Sequence, residues 1–319
     1  MLYDVVADAI GGVDGVMRSM AVRVGIAVAN MGSEPMTIDD VRRGQRAVTA
    51  IMTPIYGQNR AKVSSGAMFA EIVKSKDVAI ADATLSAGGI LDREMREQFP
   101  TRWPVIRAAL VAENEPIALT MLSANGPVPK AERLRRSFHL RTNQSWVPGE
   151  RYTLSDRVWS MRTKHRVMID RALRDGVRRG DGPVTVARRI ERYLNPDYAP
   201  LRYGRDGRVT RVRSVRGGEG VNTARRLART EVQFMHHRAT AAWIEELGIG
   251  GVKWQLSPAH PRIDICDTLA RRSSRGYPPG VYTPSEFPHI PHPNCLCASV
   301  PWMPSPDRVI DILMERYGL

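Results

Sequence analysis

The chain has 319 residues, 43% hydrophobic and 25% charged, a composition that folds and excludes a wholly disordered chain. Lys and Arg number 47 against 33 Asp and Glu, a net charge of +14, and all but six of the cations are Arg, the better bidentate binder of phosphate. A GC-rich genome favours Arg codons too, so the bias alone names no ligand. The excess is local: residues 130–229 hold 26 basic and 10 acidic side chains, and the remainder holds 21 and 23. A concentrated basic block points to a polyanion or an acidic protein surface as partner.

Residues 2–28 open the chain with Leu2, Val6, Ala9, Val13, Met17, Met20, Val24 and Ala27 at helical intervals. Such a stripe either docks on its own domain or associates with a second copy. The Met1–Gly12 stretch has no basic n-region, so no secretory signal is expected. No stretch reaches 18 apolar residues without a charge, so no membrane span is expected either.

Thr37 and Asp40 form a capping-box pattern ahead of Val41, Val48, Ile51 and Ile55, and Pro54 is expected to kink or end that helix. Residues 58–125 read as further helices broken at Gly88-Gly89, Pro100, Pro104 and Pro116. Pro127, Pro129 and Pro148 in a polar stretch place a linker at 126–153. A helix from Ser155, its N-cap, to Arg179 then carries Val158, Met161, His165, Met168 and Ala172 on one face. The turn Gly180-Asp181-Gly182-Pro183 leads to a short helix with Ala187, Ile190 and Leu194 inward. This pair is either simple antiparallel packing or a DNA-reading helix-turn-helix.

Residues 201–216 read as a cationic β-hairpin about Asp206-Gly207. Its Arg202, Arg205, Arg208, Arg211, Arg213 and Arg216, with Arg225 and Arg226 beyond, are the candidate contacts to phosphate or to an acidic partner. A long helix from Val221 to Leu247 buries Ala224, Ala228, Val232, Met235, Ala239 and Ala242 and stops at Gly248. Val252, Trp254 and Leu256 alternate as a half-buried strand. Ser305-Pro306-Asp307 starts a terminal helix docked by Val309, Ile310, Leu313 and Tyr317.

The residues suited to site chemistry lie near the C-terminal end. Cys266, Cys295 and Cys297 are the three cysteines, an odd number that makes no disulfide framework and fits a reducing cytoplasm. They sit among His260, His289 and His292. Thiolate sulfur and imidazole nitrogen suit tetrahedral zinc. Cys266, His292, Cys295 and Cys297 form the preferred set for one structural zinc, with His260 or His289 as substitutes. The Cys-x-Cys spacing is tighter than the Cys-x₂-Cys of a finger and leaves open whether both bind. A Cys beside a His also permits an activated thiolate, and a three-ligand zinc permits hydrolysis. A zinc deaminase is excluded, because no His-x-Glu occurs in the chain.

Ala228-Arg229-Thr230-Glu231, Gly251-Val252-Lys253-Trp254, Cys266-Asp267-x-Leu269 and His292-Pro293-Asn294-Cys295-Leu296-Cys297, in that order, resemble the C-terminal domain of the Mu F-like minor head proteins of tailed bacteriophages, a group that includes head morphogenesis proteins of the SPP1 type. The resemblance covers roughly residues 155–300. Leu296 departs from the Arg of the usual His-Pro-x-Cys-Arg-Cys ending. Position 263 is Ile where many members have a further Cys, so a four-cysteine site is excluded.

The resemblance implies a low-copy, non-enzymatic virion protein, assembled in the bacterial cytoplasm and located inside the head near the portal. Its partners would be the portal protein, the major capsid protein and double-stranded DNA held without sequence preference. Its role would be head assembly, DNA packaging or ejection. The expected fold is α+β and mainly helical: a helical region at 1–125, the linker at 126–153, a Mu F-like domain with a small β element and a Cys/His-rich loop at 154–304, and a terminal helix at 305–319. The rivals are a zinc- or thiol-dependent enzyme acting on nucleic acid or cell wall, and a DNA-binding regulator using the helix pair.

Overall fold

A computed structural model describes residues 2–31, 35–123, 127–146, 150–198, 218–258, 260 and 263–319, together with the backbone of 201–203 and 209–211. These residues are mainly helical, with one three-stranded antiparallel sheet and one two-stranded hairpin. They form two compact units interleaved along the chain. One comprises Met1–Ala7, Lys74–Thr142 and Thr230–Leu319, and the other Asp8–Val73 and Asn143–Arg229. Three of the four divisions fall inside long helices, α1 (Leu2–Ala29), α3 (Ala67–Gln98) and α9 (Glu219–Leu247), and the fourth falls at Thr142/Asn143. The units therefore do not follow the successive segments read from the sequence. Within the expected linker, Leu134, Phe138 and Leu140 are buried in the apolar core of the first unit, and Ala131–Ser137 forms helix α6.

In the first unit, α4 (Trp103–Glu113) and α5 (Glu115–Leu122) carry Pro104 and Pro116 in their first turns. There the missing N–H costs nothing, so these prolines start helices rather than break them. The Gly88-Gly89 pair does not break α3 either. A Cβ at Gly88 would stand 2.5 Å from Thr120 Oγ1, so glycine at this position lets α5 approach α3 closely. The sheet has order β4-β3-β5, with β3 (Gly251–Gln255) paired to β4 (Val281–Tyr282) and β5 (Ala298–Trp302). Its register runs from Gly251 opposite Trp302 to Gln255 opposite Ala298. Val252 and Trp254 face the core while Lys253 and Gln255 are exposed, the alternation of a half-buried strand. The terminal helix α11 (Pro306–Tyr317) is capped by Ser305 Oγ and buries Val309, Ile310 and Leu313.

In the second unit, the buried stripe of α1 runs through Val13, Met17, Met20 and Val24 and ends at Val28, one residue beyond the expected Ala27. Helix α2 (Ile38–Tyr56) has the Thr37–Asp40 capping box. It continues two residues past Pro54 and stops at Gly57, whose φ of 87° favours glycine. Helix α7 (Leu154–Arg179) starts two residues earlier than expected, because its N-cap is Thr153, in a capping box with Asp156, and not Ser155. Its buried face is Val158, Met161, His165, Ile169 and Leu173, while Met168 and Ala172 are only half-buried. Gly180 ends α7 in the left-handed conformation and Pro183 opens α8 (Pro183–Leu194), which buries Ala187, Ile190 and Leu194. β1 (Leu201–Tyr203) and β2 (Val209–Arg211) pair antiparallel, as the hairpin reading requires. Its turn, Asp206-Gly207, lies outside the described residues.

One buried histidine of this unit is fully partnered in its neutral form. His165 Nδ1 lies 2.6 Å from Tyr56 Oη and accepts its proton, and Nε2 donates to the Gly220 carbonyl at 3.2 Å. Burial pushes its pKa down to about 4. Unfolding restores an ordinary histidine near 6.5, so the unfolded chain binds the extra proton between those values. This contribution is complete above about pH 6.5 and is lost as pH falls towards 4. Urea titrations from pH 7 to pH 4 should show stability falling with pH, and His165→Gln should give a lower plateau but a shallower acid limb.

Candidate metal centre

Helix α10 (Ile265–Arg271) is seven residues long, and its cap organises half of the cluster. Asp264 Oδ1 accepts the Cys266 N–H at 2.7 Å, and Asp267 Oδ2 accepts the Asp264 N–H at 2.9 Å. The same Asp267 oxygen accepts from His260 Nε2 at 2.9 Å. His260 therefore turns Nδ1 towards Cys297 Sγ, 4.0 Å away. A carboxylate behind a histidine is the arrangement that fixes ring orientation at metal sites.

The other half comes from the 289–297 loop. Asn294 adopts a φ of 65°, which asparagine tolerates better than most residues. The loop brings Cys295 Sγ to 3.6 Å from Cys266 Sγ, and His292 Nε2 to 3.3 Å from the same sulfur. His292 Nδ1 lies 3.1 Å from the Pro293 carbonyl, and Nε2 faces both the Cys266 thiol at 3.3 Å and Asp264 Oδ2 at 3.4 Å. Cys297 N–H donates to Cys295 Sγ at 3.4 Å, so the tight Cys-x-Cys spacing is closed by its own backbone. All three thiols are buried and free, and their sulfurs lie within 4.8 Å of one another. Tetrahedral zinc with bonds of about 2.3 Å to sulfur and 2.0 Å to nitrogen needs edges of about 3.8 Å for S···S and 3.5 Å for S···N. The Cys266 contacts to Cys295 and His292 lie close to those values.

Without a metal the three sulfurs share protons unequally. Hydrogen bonds from Cys266 and Cys295, the Ser257 N–H and the nearby His260 pull the Cys297 thiol well below the ordinary thiol range. Cys266 is pushed up by its hydrogen bonds to the other two sulfurs and by burial. Cys297 is thus the first sulfur to become thiolate.

Of the sequence candidates, Cys266, His292, Cys295 and Cys297 lie close together, with His260 at the Cys297 side. His289 stands apart from the thiols. Its ring packs edge-on against Phe234 and Phe287, and burial lowers its pKa to about 3. The 22 residues between Cys266 and His289 are not a bare loop. They include most of α10 and β4, buried Phe287, and a turn closed by Gly280 N–H to the Arg272 carbonyl at 2.7 Å.

Helix α9 supplies partners from the Ala228–Glu231 motif and the helical turns after it, residues that the sequence reading left without a place in the metal set. Thr230 Oγ1 accepts the Asn294 N–H at 2.9 Å, and Gln233 Nε2 donates to the Cys297 carbonyl. His237 is fully buried, with Nδ1 against the His289 carbonyl and Nε2 3.1 Å from the Cys297 carbonyl. Burial lowers its pKa to about 4, so it is a neutral ring with one N–H. Its single N–H serves one of these two carbonyls, and Gln233 donates to Cys297 in either case. Glu231, beside Thr230, is ion-paired to Lys76 with both side chains fully buried.

Ser299 Oγ lies 3.3 Å from His236 Nδ1, and His236 Nε2 lies 3.5 Å from Asp82 Oδ2. This is the connectivity of a nucleophile–base–acid relay. Ser299, however, is 2% exposed and donates to Thr240 Oγ1 at 3.0 Å, so its hydroxyl is closed to substrate.

Of the candidate cationic contacts, Arg205, Arg208, Arg213 and Arg216 lie outside the described residues, and Arg202 and Arg211 are described by backbone alone. Arg225 is bidentate to Asp14, at 2.7 and 2.6 Å, and Arg226 is exposed. Comparison with protein-family models, curated proteins and solved structures returned no match. No helix among the described residues is long and apolar enough to cross a membrane.

The 289–297 loop depends on a buried amide for its Cys297 carbonyl. Gln233→Leu should therefore cost about 1–3 kcal/mol in urea unfolding, the penalty of a buried polar group stripped of its partner. Gln233→Glu should be at least as damaging, because it sets a carboxylate against the same carbonyl.

Proposed function

We propose that the protein is a minor head protein of a tailed bacteriophage. It binds the portal or capsid interior and holds packaged DNA without sequence preference, in support of head assembly, packaging or delivery. One observation carries this reading: the separated motifs of the Mu F-like pattern meet. Thr230 bonds Asn294, His237 touches the Cys297 carbonyl and stacks edge-on to Trp254 at 5.3 Å, and Cys266 contacts His292 and Cys295. Residues up to 67 positions apart (230 to 297) thus form a single polar and sulfur cluster, as parts of one family signature would.

The cluster suits one structural zinc held by Cys266, Cys295, Cys297 and a histidine, with His292 preferred. Four protein ligands close the coordination sphere and leave no position for a reacting water, which fits a clip rather than a catalyst. Zinc bound to the folded chain alone adds to its stability. Protein purified without chelator should carry one zinc per chain by elemental mass spectrometry, and chelation should lower its melting temperature. Cys295→Ser should lose the metal and melt earlier. His292→Ala against His260→Ala identifies the fourth ligand as the variant that loses zinc. A melting curve unmoved by chelation would remove the clip.

The virion assignment is tested by quantitative mass spectrometry of purified particles. The protein should be present in precursor heads and mature virions at far fewer copies than the major capsid protein. Absence from both would overturn the reading in favour of the enzyme or regulator.

A further inference from the structure

The basic block has a described surface that the hairpin arginines do not include. On α7, Lys164, Arg171, Arg174 and Arg178 follow one another at intervals of seven, three and four residues, which places them on one face. All four are exposed, and the buried residues of α7 occupy the opposite side. Across the Gly180 turn, α8 adds exposed Arg188 and Arg192 four residues apart.

The carboxylates of α7, α8 and the turn between them are partnered outside the set Lys164, Arg171, Arg174 and Arg188, and exposed Glu191 of α8 accepts from Asn195 Nδ2 at 3.1 Å. Asp156 bonds Arg60 at 2.5 Å, Asp170 pairs with Arg166 at 3.9 Å, Asp175 with Arg178 at 2.7 Å and Asp181 with Arg189 at 2.6 Å. Lys164, Arg171, Arg174 and Arg188 make no hydrogen bond or ion pair with any described residue. Like charges held together without counter-charge raise the local potential and attract a polyanion.

The spacing also fits a repeating anion. From Lys164 to Arg178 is 14 residues, about 21 Å of helix, which matches about six base-pair steps at 3.4 Å each. The cations are spread along the outer faces of both helices, not gathered at one helix end. That distribution suits contact with phosphates along a strand rather than the reading of base edges. Guanidinium forks dominate the set, and they bind phosphate bidentately.

We infer that the outer face of α7 and α8, centred on Arg171, Arg174 and Arg188, is a docking surface for the phosphate backbone of duplex DNA. This rests on the DNA-binding part of the proposed function and adds where the contact is made. An acidic protein is the other polyanion that the charge would attract. The cations favour DNA because they line one face of α7 over about 21 Å, a length of duplex.

The test is fluorescence anisotropy of the full chain with a labelled mixed-sequence duplex of ~24 base pairs, titrated from about 50 to 200 mM salt. Three proteins are compared: wild type, Arg171→Gln/Arg174→Gln/Arg188→Gln, and Arg93→Gln/Arg271→Gln/Arg308→Gln. The last removes the same charge from exposed positions of the other unit. Circular dichroism and melting curves confirm that each variant folds. The expected result is affinity at least about tenfold weaker for the first variant, with a salt slope shallower by about 2–3, since each lost phosphate contact removes about 0.9. The control should bind within about twofold of wild type.

Equal losses in both variants would overturn the surface in favour of general charge. No loss in the first variant would overturn it while leaving DNA binding by the protein intact. Failure of the wild type to bind the duplex would overturn both the surface and the DNA-binding reading. If the first variant instead loses binding to poly-L-glutamate while no protein binds DNA, the face belongs to an acidic protein.

Discussion

Thr230, Gln233 and His237 are polar side chains on α9 that are removed from water, and each needs a partner. In every case that partner is the backbone of the 289–297 loop. The intervals of three and four residues put the three side chains on one edge of the helix, so a single rigid element sets the position of Asn294, Cys297 and the His289 carbonyl together. The thiol cluster depends on this edge. Cys266 arrives from the cap of α10, and the bonds from α9, together with the pairing of β5 to β3 that begins at Ala298, bring Cys295 and Cys297 to meet it.

That arrangement explains why a metal and a hydrogen-bond network are not competing accounts of the loop. The backbone bonds from α9 fix where the loop runs. The sulfurs and imidazoles remain turned towards one another inside it, with Asp267 behind His260 and the Pro293 carbonyl behind His292. A cation entering such a site meets ligands already oriented, and it takes the place of the hydrogen bonds among the three sulfurs, which lower the Cys297 thiol and raise Cys266.

Much of this was legible in the sequence because it is local. The capping box at Thr37, the glycine stop of α7, the alternation of β3 and the Ser305 cap are short-range patterns, and each was found in place. The cysteines and His292 were legible as ligand types at close spacing. The rest required distance along the chain. Gly88 looked like a helix breaker because nothing nearby shows that Thr120 must pass against it. Pro104 and Pro116 looked like breaks because a proline that starts a helix and one that ends it are the same residue. Gln233 and His237 looked like ordinary residues of a long helix, since their partners lie more than 50 positions away. Asp264 and Asp267 went unread as ligand supports, although their spacing is that of a cap.

The interleaving of the two units also orders the chain in time. The unit built from Asp8–Val73 and Asn143–Arg229 has all of its residues once position 229 has been made. The other unit draws on Met1–Ala7 and on Thr230–Leu319, so its earliest segment must wait for its last. During synthesis, apolar positions of α3, α4 and α5 such as Ile80, Leu91, Trp103 and Ile117 are exposed before the strands and terminal helix that cover them exist. The long-range contacts that close this unit are the slow ones to form. Within this unit the thiol cluster, whose ligands all come from residues 260–297, can form only after α3, α4 and α5 have been made.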